Sequence, residues 1–155
     1  MAKEESVSAS VLVKAPIEKV WELASDTSRY AEWVEATLEV LHTDGPARLG
    51  STYEERTRIS GPWKATTQWR VTEFDPPRRQ VHEGQGVFTA EEMAVVIELA
   101  ATGEQTEFTL TLRYTPRFGV IGTVIDRAVK GTLERGQQHS AQSFASLIAH
   151  ELSRD

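Results

Sequence analysis

Along most of this chain apolar positions recur every second residue, and only towards the C-terminus does the spacing change to that of a helix. Val7, Ala9, Val11 and Val13 alternate with Ser8, Ser10 and Lys14, the period-two pattern of a half-buried strand. Pro16 suits the first turn of a helix carrying Ile17, Val20, Trp21 and Ala24, and Asp26 is placed to cap a second short helix ending near Trp33. Six more strands are predicted at residues 37–43, 51–60, 63–75, 80–84, 91–100 and 107–115. Turn residues separate them: Asp44-Gly45-Pro46, Gly61-Pro62, Pro76-Pro77, Gly86 and Gly103.

Residues 117–152 read as one long helix. Its first half places Ile121, Val124, Ile125, Ala128 and Val129 at helical spacing, and its last half does the same with Phe144, Leu147, Ile148 and Leu152. Between them the core-facing positions are Gly136, Gln137 and Ser140, and a helix gripped at both ends but small in its middle points to a hollow. At a rise of about 1.5 Å per residue such a helix spans roughly 50 Å, enough to cross a strongly curved sheet. The element order is α+β, with an antiparallel sheet whose apolar face needs a cover.

With 155 residues, 39% hydrophobic and 26% charged, the chain is expected to form a single domain over 1–155. A net charge of -6, with 17 Lys and Arg scattered among 23 acids, argues against nucleic acid as a partner. Without Cys, the chain has no disulfides and no thiolate chemistry, and without Asn it has no N-linked glycan. The polar start lacks the apolar run of a signal peptide and no apolar stretch is long enough to span a bilayer, so a cytoplasmic location is expected.

Nucleotide loops and nucleophile elbows are missing: Gly84-Gln85-Gly86 has neither the third glycine nor the following helix of a dinucleotide fingerprint. His42, His82, His139 and His150 include no pair at metal-ligand spacing, so neither a metal nor another cofactor is expected.

Certain residues also carry a resemblance. Val11 to Val13, Ala15-Pro16, Val20-Trp21, Asp26, Tyr30 and Trp33, with Val71-Thr72 leading into Asp75-Pro76-Pro77-Arg78-Arg79, resemble the polyketide cyclase/dehydrase branch of the START-like, Bet v 1-like superfamily. The resemblance implies a helix-grip fold: a seven-stranded antiparallel sheet curved around a long C-terminal helix, a ligand cavity between them, and two short helices between strands 1 and 2 closing one end. Its activities range over hydrophobic-ligand carriers, cyclases, lipid-transfer proteins, hormone receptors and co-chaperones, because fold does not fix function.

If the strands alternate as read, Tyr53, Glu55, Thr57 and Ile59 share the inner face with Trp69, Val71 and Glu73, with Met93, Val95, Ile97 and Leu99, and with Tyr114. The candidate ligand contacts are therefore Trp33, Tyr53, Glu55, Trp69, Met93, Tyr114, Gly136, Gln137 and Ser140, an apolar chamber with a few polar groups. The alternative is that Trp69, Tyr53, Met93 and Tyr114 are packed core. A carboxylate turned inward, Glu55 or Glu73, would have its pKa raised and could serve as acid or base; the alternative is a solvated glutamate near a strand end, because unpaired Glu is almost never fully buried. Arg58, Arg70 and Arg113 fall on the wet face unless a bulge turns them inward, and His82 and Trp63 are undecided. Phe118, Val120 and Ile121, spaced by Gly119 and Gly122, are candidates for a cavity mouth.

The expected partner is a small hydrophobic, aromatic or polyketide-like molecule, with cyclase/dehydrase chemistry as an open addition. A non-enzymatic lipid or quinone carrier and an interaction module with a vestigial cavity are the alternatives, and a homodimer is left open.

Overall fold

The computed structural model describes residues 4–60, 62–85, 90–116 and 123–154. Its elements run β1 (Glu5–Val13), α1 (Ile17–Ser25), a 3-10 helix (Thr27–Glu32), β2 (Thr37–Thr43), β3 (Thr52–Ser60), β4 (Trp63–Asp75), β5 (Arg79–Gln85), β6 (Ala90–Thr102), β7 (Gln105–Pro116) and α2 (Thr123–Ser153). The seven strands form one antiparallel sheet in the order β1-β7-β6-β5-β4-β3-β2, so the first strand pairs with the last. This is the helix-grip α+β fold.

Local chemistry accounts for the element ends. Pro16 stands at the N-cap of α1, where its missing N–H costs nothing, and its carbonyl accepts from Val20 N at 3.2 Å. The second short helix is 3-10 rather than α, and Asp26 caps it by accepting from Ser28 N at 3.2 Å. Gly45 and Gly103 adopt positive φ in the turns after β2 and β6, a conformation a side chain would resist.

α2 runs unbroken through Gly131 and Gly136, packs over β1 and β7, and buries Ala141, Phe144 and Ile148. Phe144 lies flat on Phe108 with ring centroids 4.2 Å apart, and the edge of Trp33 meets Phe144 at 5.0 Å. Burying each phenylalanine contributes about 1.5–3 kcal/mol, which fastens the C-terminal half of the helix to the sheet. Of the other predicted apolar face, Ile121 and the side chains of Val124 and Ile125 lie outside the described residues, as do Gly61, Gly86 and the Ile59 side chain.

Register decides which side chains face α2. Tyr53 pairs with Trp69, Trp69 with Gly84, Gly84 with Met93 and Met93 with Tyr114, one inward row crossing five strands. The next row carries Val71, His82, Val95 and Leu112. A bulge between Val71 and Glu73 then inverts the alternation of β4, so Glu73 pairs with outward Val81 while Phe74 pairs with inward Gln80. Glu73 therefore lies on the wet face, where its carboxylate accepts from Arg79 Nε at 3.1 Å, the solvated alternative rather than the inward position that parity alone implies.

Candidate functional site

Between the sheet and α2 lies a cavity of about 170 Å³, walled by strands β3 to β7, the Trp33–Thr37 segment and one face of α2. Trp33, Tyr53, Glu55, Trp69, Met93, Tyr114 and Gln137 all line it. Gly136 and Ser140 do not. Ser140 Oγ accepts from Glu35 N at 2.9 Å, and a Cβ on Gly136 would stand 2.7 Å from the Glu35 carboxylate, so these small residues let the Glu35 segment approach α2 closely. Phe118, Val120 and Ile121 lie outside the described residues. Trp63 is exposed at the start of β4, and exposed Arg58 borders the cavity.

Glu55 is the charged-type side chain of the wall, 5% exposed. Its Oε1 accepts from Trp69 Nε1 at 2.9 Å and its Oε2 from Thr37 Oγ1 at 3.1 Å. Burial drives its pKa up, the two donors hold it down, and the balance leaves it at about 7. Trp69 holds that orientation because β5 offers a glycine beneath it: a Cβ on Gly84 would be 2.7 Å from the indole ring. The Trp69 indole also stacks on Tyr53, with centroids 6.4 Å apart.

Beside this group runs a buried polar chain that sequence reasoning left undecided. Gln80 Nε2 donates to Ser25 Oγ at 3.0 Å, which turns Gln80 Oε1 towards His82 Nε2 at 2.7 Å. His82 Nε2 must then carry the proton, and Nδ1 accepts from the Tyr53 hydroxyl at 2.6 Å. Burial pushes the His82 pKa down to about 4, so the ring stays neutral and both nitrogens are committed. The Tyr30 hydroxyl donates to Ala24 O at 2.7 Å, and burial, followed by nearby acidic groups, raises the pKa of Tyr30 and Tyr53 well above the usual phenol value. One signal for the chain was present in the sequence: Gln80 and His82 are two apart on a strand and so share a face.

Three polar atoms on the cavity-lining residues, Trp33 Nε1, Thr57 Oγ1 and Gln137 Nε2, are buried and have no hydrogen-bond partner among the described residues. Each such group costs about 1–3 kcal/mol unless something polar meets it. Residues of the cavity wall thus carry unpaired polar atoms at Trp33, Thr57 and Gln137 and a buried carboxyl at Glu55.

A second cleft, about 440 Å³, lies between α1 and the end of α2 among Lys19, Glu22, Asp26, Arg29, Glu151 and Arg154. Its central cation is already engaged, since Arg29 pairs with Glu32 and Glu151, and larger volume does not make it the better ligand site. No group of three or more His, Asp or Glu able to hold a metal occurs among the described residues, and no described helix is long and apolar enough to cross a membrane.

A family model described as polyketide cyclase / dehydrase and lipid transport matches residues 4–148. An uncharacterized protein of Mycobacterium tuberculosis is 27% identical over 145 residues, 90% of this chain and 98% of that protein. A Mycobacterium tuberculosis protein named as a toxin is 25% identical over 143 residues, 90% of this chain and 97% of its own length. The crystal structure of the Zhui aromatase/cyclase from a Streptomyces species superposes with a TM-score of 0.79 at 18% identity, covering 97% of this chain and 96% of that one, which shows a shared fold.

Proposed function

Because the chain belongs to the polyketide cyclase/dehydrase and lipid transport family, we propose that it binds a small hydrophobic molecule between its sheet and α2, as a single ligand-binding unit. The observation that carries this reading is a buried, largely apolar cavity with a carboxyl and unpaired donors in its wall. Ligand sites are built this way, with apolar surface for affinity and a few polar groups for orientation. A fully packed core would leave no such space.

Size narrows the ligand. A cavity of about 170 Å³ is below the roughly 300–1,000 Å³ of drug-sized pockets, so it suits one or two fused rings better than an extended poly-β-keto chain. An aromatic ring fits the lining, since Tyr30, Trp33, Tyr53 and Trp69 offer edges and faces.

Native mass spectrometry of freshly purified protein, followed by solvent extraction, tests for a carried ligand. Titration with naphthol, read by quenching of tryptophan fluorescence, tests the site itself. One naphthol per chain is expected for the wild type, and Val95→Phe, which grows a ring into the cavity, is expected to weaken uptake by about tenfold or more, on the order of 1.4 kcal/mol. Equal uptake by both proteins would place binding elsewhere and overturn the assignment.

A further inference from the structure

We propose that Glu55 is the acid–base group of a proton-shuttling site, which converts a small cyclic β,γ-unsaturated ketone into its conjugated isomer. The inference rests on the ligand-binding reading and adds to it a substrate class, a reaction and a catalytic residue.

The wall chemistry is complementary to a ketone. Trp33 Nε1 and Gln137 Nε2 are unpaired donors, suited to a carbonyl oxygen and better suited to the oxyanion it becomes. Glu55, held at both oxygens by Trp69 and Thr37, keeps a lone pair on each to meet an acidic C–H. The cavity holds about one or two rings, the size of a cyclic enone.

Around Glu55 the titratable and charged groups of the cavity wall are Tyr30, Tyr53, His82 and Tyr114, with Arg58 at the border. His82 has both nitrogens committed, Tyr53 donates to His82, and Tyr30 donates to a backbone carbonyl. Among the described residues of the wall, Glu55 is the carboxyl, so the group that takes a proton is also the one that returns it. That is the minimum requirement of an allylic isomerisation. The Cα–H bond breaks and its proton goes to a Glu55 oxygen. The freed electron pair forms a double bond between the carbonyl carbon and Cα and the carbonyl π pair moves onto oxygen, giving a dienolate whose negative oxygen is met by Trp33 and Gln137. The same proton is then delivered to Cγ, where the Cβ–Cγ π pair takes it. The pair between the carbonyl carbon and Cα shifts to become the Cα–Cβ double bond, and the oxygen's pair re-forms the carbonyl. Nothing is oxidised, no water enters or leaves, and Glu55 ends as it began. Its pKa of about 7 supports both halves, because a base weak enough to return the proton is present in its ionised form near neutrality.

The test uses the full chain with β,γ-unsaturated cyclohexenone, following the absorbance of the conjugated product, and measures binding separately by fluorescence quenching with the unreactive saturated ketone. Wild type is expected to convert the probe with kcat/KM rising as pH rises through about 7, because the base must be ionised. Glu55→Gln is expected to lose on the order of 100-fold or more in turnover while still binding the saturated ketone. Trp33→Phe, which keeps the ring but removes the donor, is expected to lose about tenfold or more in kcat with little change in binding. Binding without conversion, or conversion that survives Glu55→Gln, would overturn the proposal and leave the ligand site standing. Failure of wild type to bind either ketone would overturn both for this class of molecule.

Discussion

Glu55 and His82 make a paired prediction about stability and pH. Burial raises Glu55 from an ordinary value near 4.5 to about 7. Between those values the unfolded chain has lost a proton that the folded chain keeps, so stability falls as pH rises, and the contribution present below about 4.5 is gone above about 7. At roughly 1.4 kcal/mol per pH unit this amounts to about 3 kcal/mol. His82 has the opposite sign. Burial lowers it from 6.5 to about 4, so between those values the unfolded chain binds a proton that the folded chain refuses, and stability rises with pH by a similar amount. The windows overlap, and the wild type is expected to show little net dependence from this pair between about pH 4.5 and 6.5. Glu55→Gln leaves the His82 contribution uncompensated. Its stability relative to wild type, from urea unfolding at a series of pH values, is expected to climb by about 3 kcal/mol between pH 4.5 and 7. Taking the difference cancels the other carboxylates, which titrate alike in both proteins. Curves parallel within about 0.5 kcal/mol would mean that Glu55 ionises freely in the folded state, and the picture of a desolvated carboxyl would be refuted.

Other substitutions probe the supports of the site. Gly84→Ala puts a methyl group against the Trp69 ring, and is expected to cost about 1–3 kcal/mol in thermal unfolding and to change the near-ultraviolet dichroism of the tryptophans. Tyr53→Phe leaves His82 Nδ1 buried without its donor, with an expected loss of about 1–3 kcal/mol; an unchanged melting temperature would show that the Ser25–Gln80–His82–Tyr53 chain is not closed in solution. A dry void of 170 Å³ at about 24 cal/mol per Å³ would cost some 4 kcal/mol, so partial filling by Val95→Phe is expected to raise the melting temperature even as it blocks naphthol.

Much of this architecture is legible in the sequence, because period-two alternation survives wherever one face of a strand is wet. It identifies β2 and β4 at their observed ends, and it places Tyr53, Trp69, Met93 and Tyr114 on one face, which the register joins in a single row. Parity fails at Glu73 because one extra residue in β4 is invisible to a pattern that counts in twos. Gly136 and Ser140 mislead for another reason. Small residues admit a void or a close neighbour equally well, and here the neighbour is Glu35. His82 stayed ambiguous because a histidine on an inward face is defined by its partners, and Gln80, Ser25 and Tyr53 come from β5, α1 and β3.

The pairing of β1 with β7 ties Val13 to Thr106 and Glu5 to Tyr114, across nearly the whole length of the sheet-forming chain. Contacts so distant in sequence carry a high loop-closure cost and make for slow folding. On the ribosome β1 emerges well before its neighbour β7, and α2, which completes the chamber, follows the whole sheet. Until α2 is released the row from Tyr53 to Tyr114 has no lid, and its aromatic surface is open to chaperones and to other nascent chains.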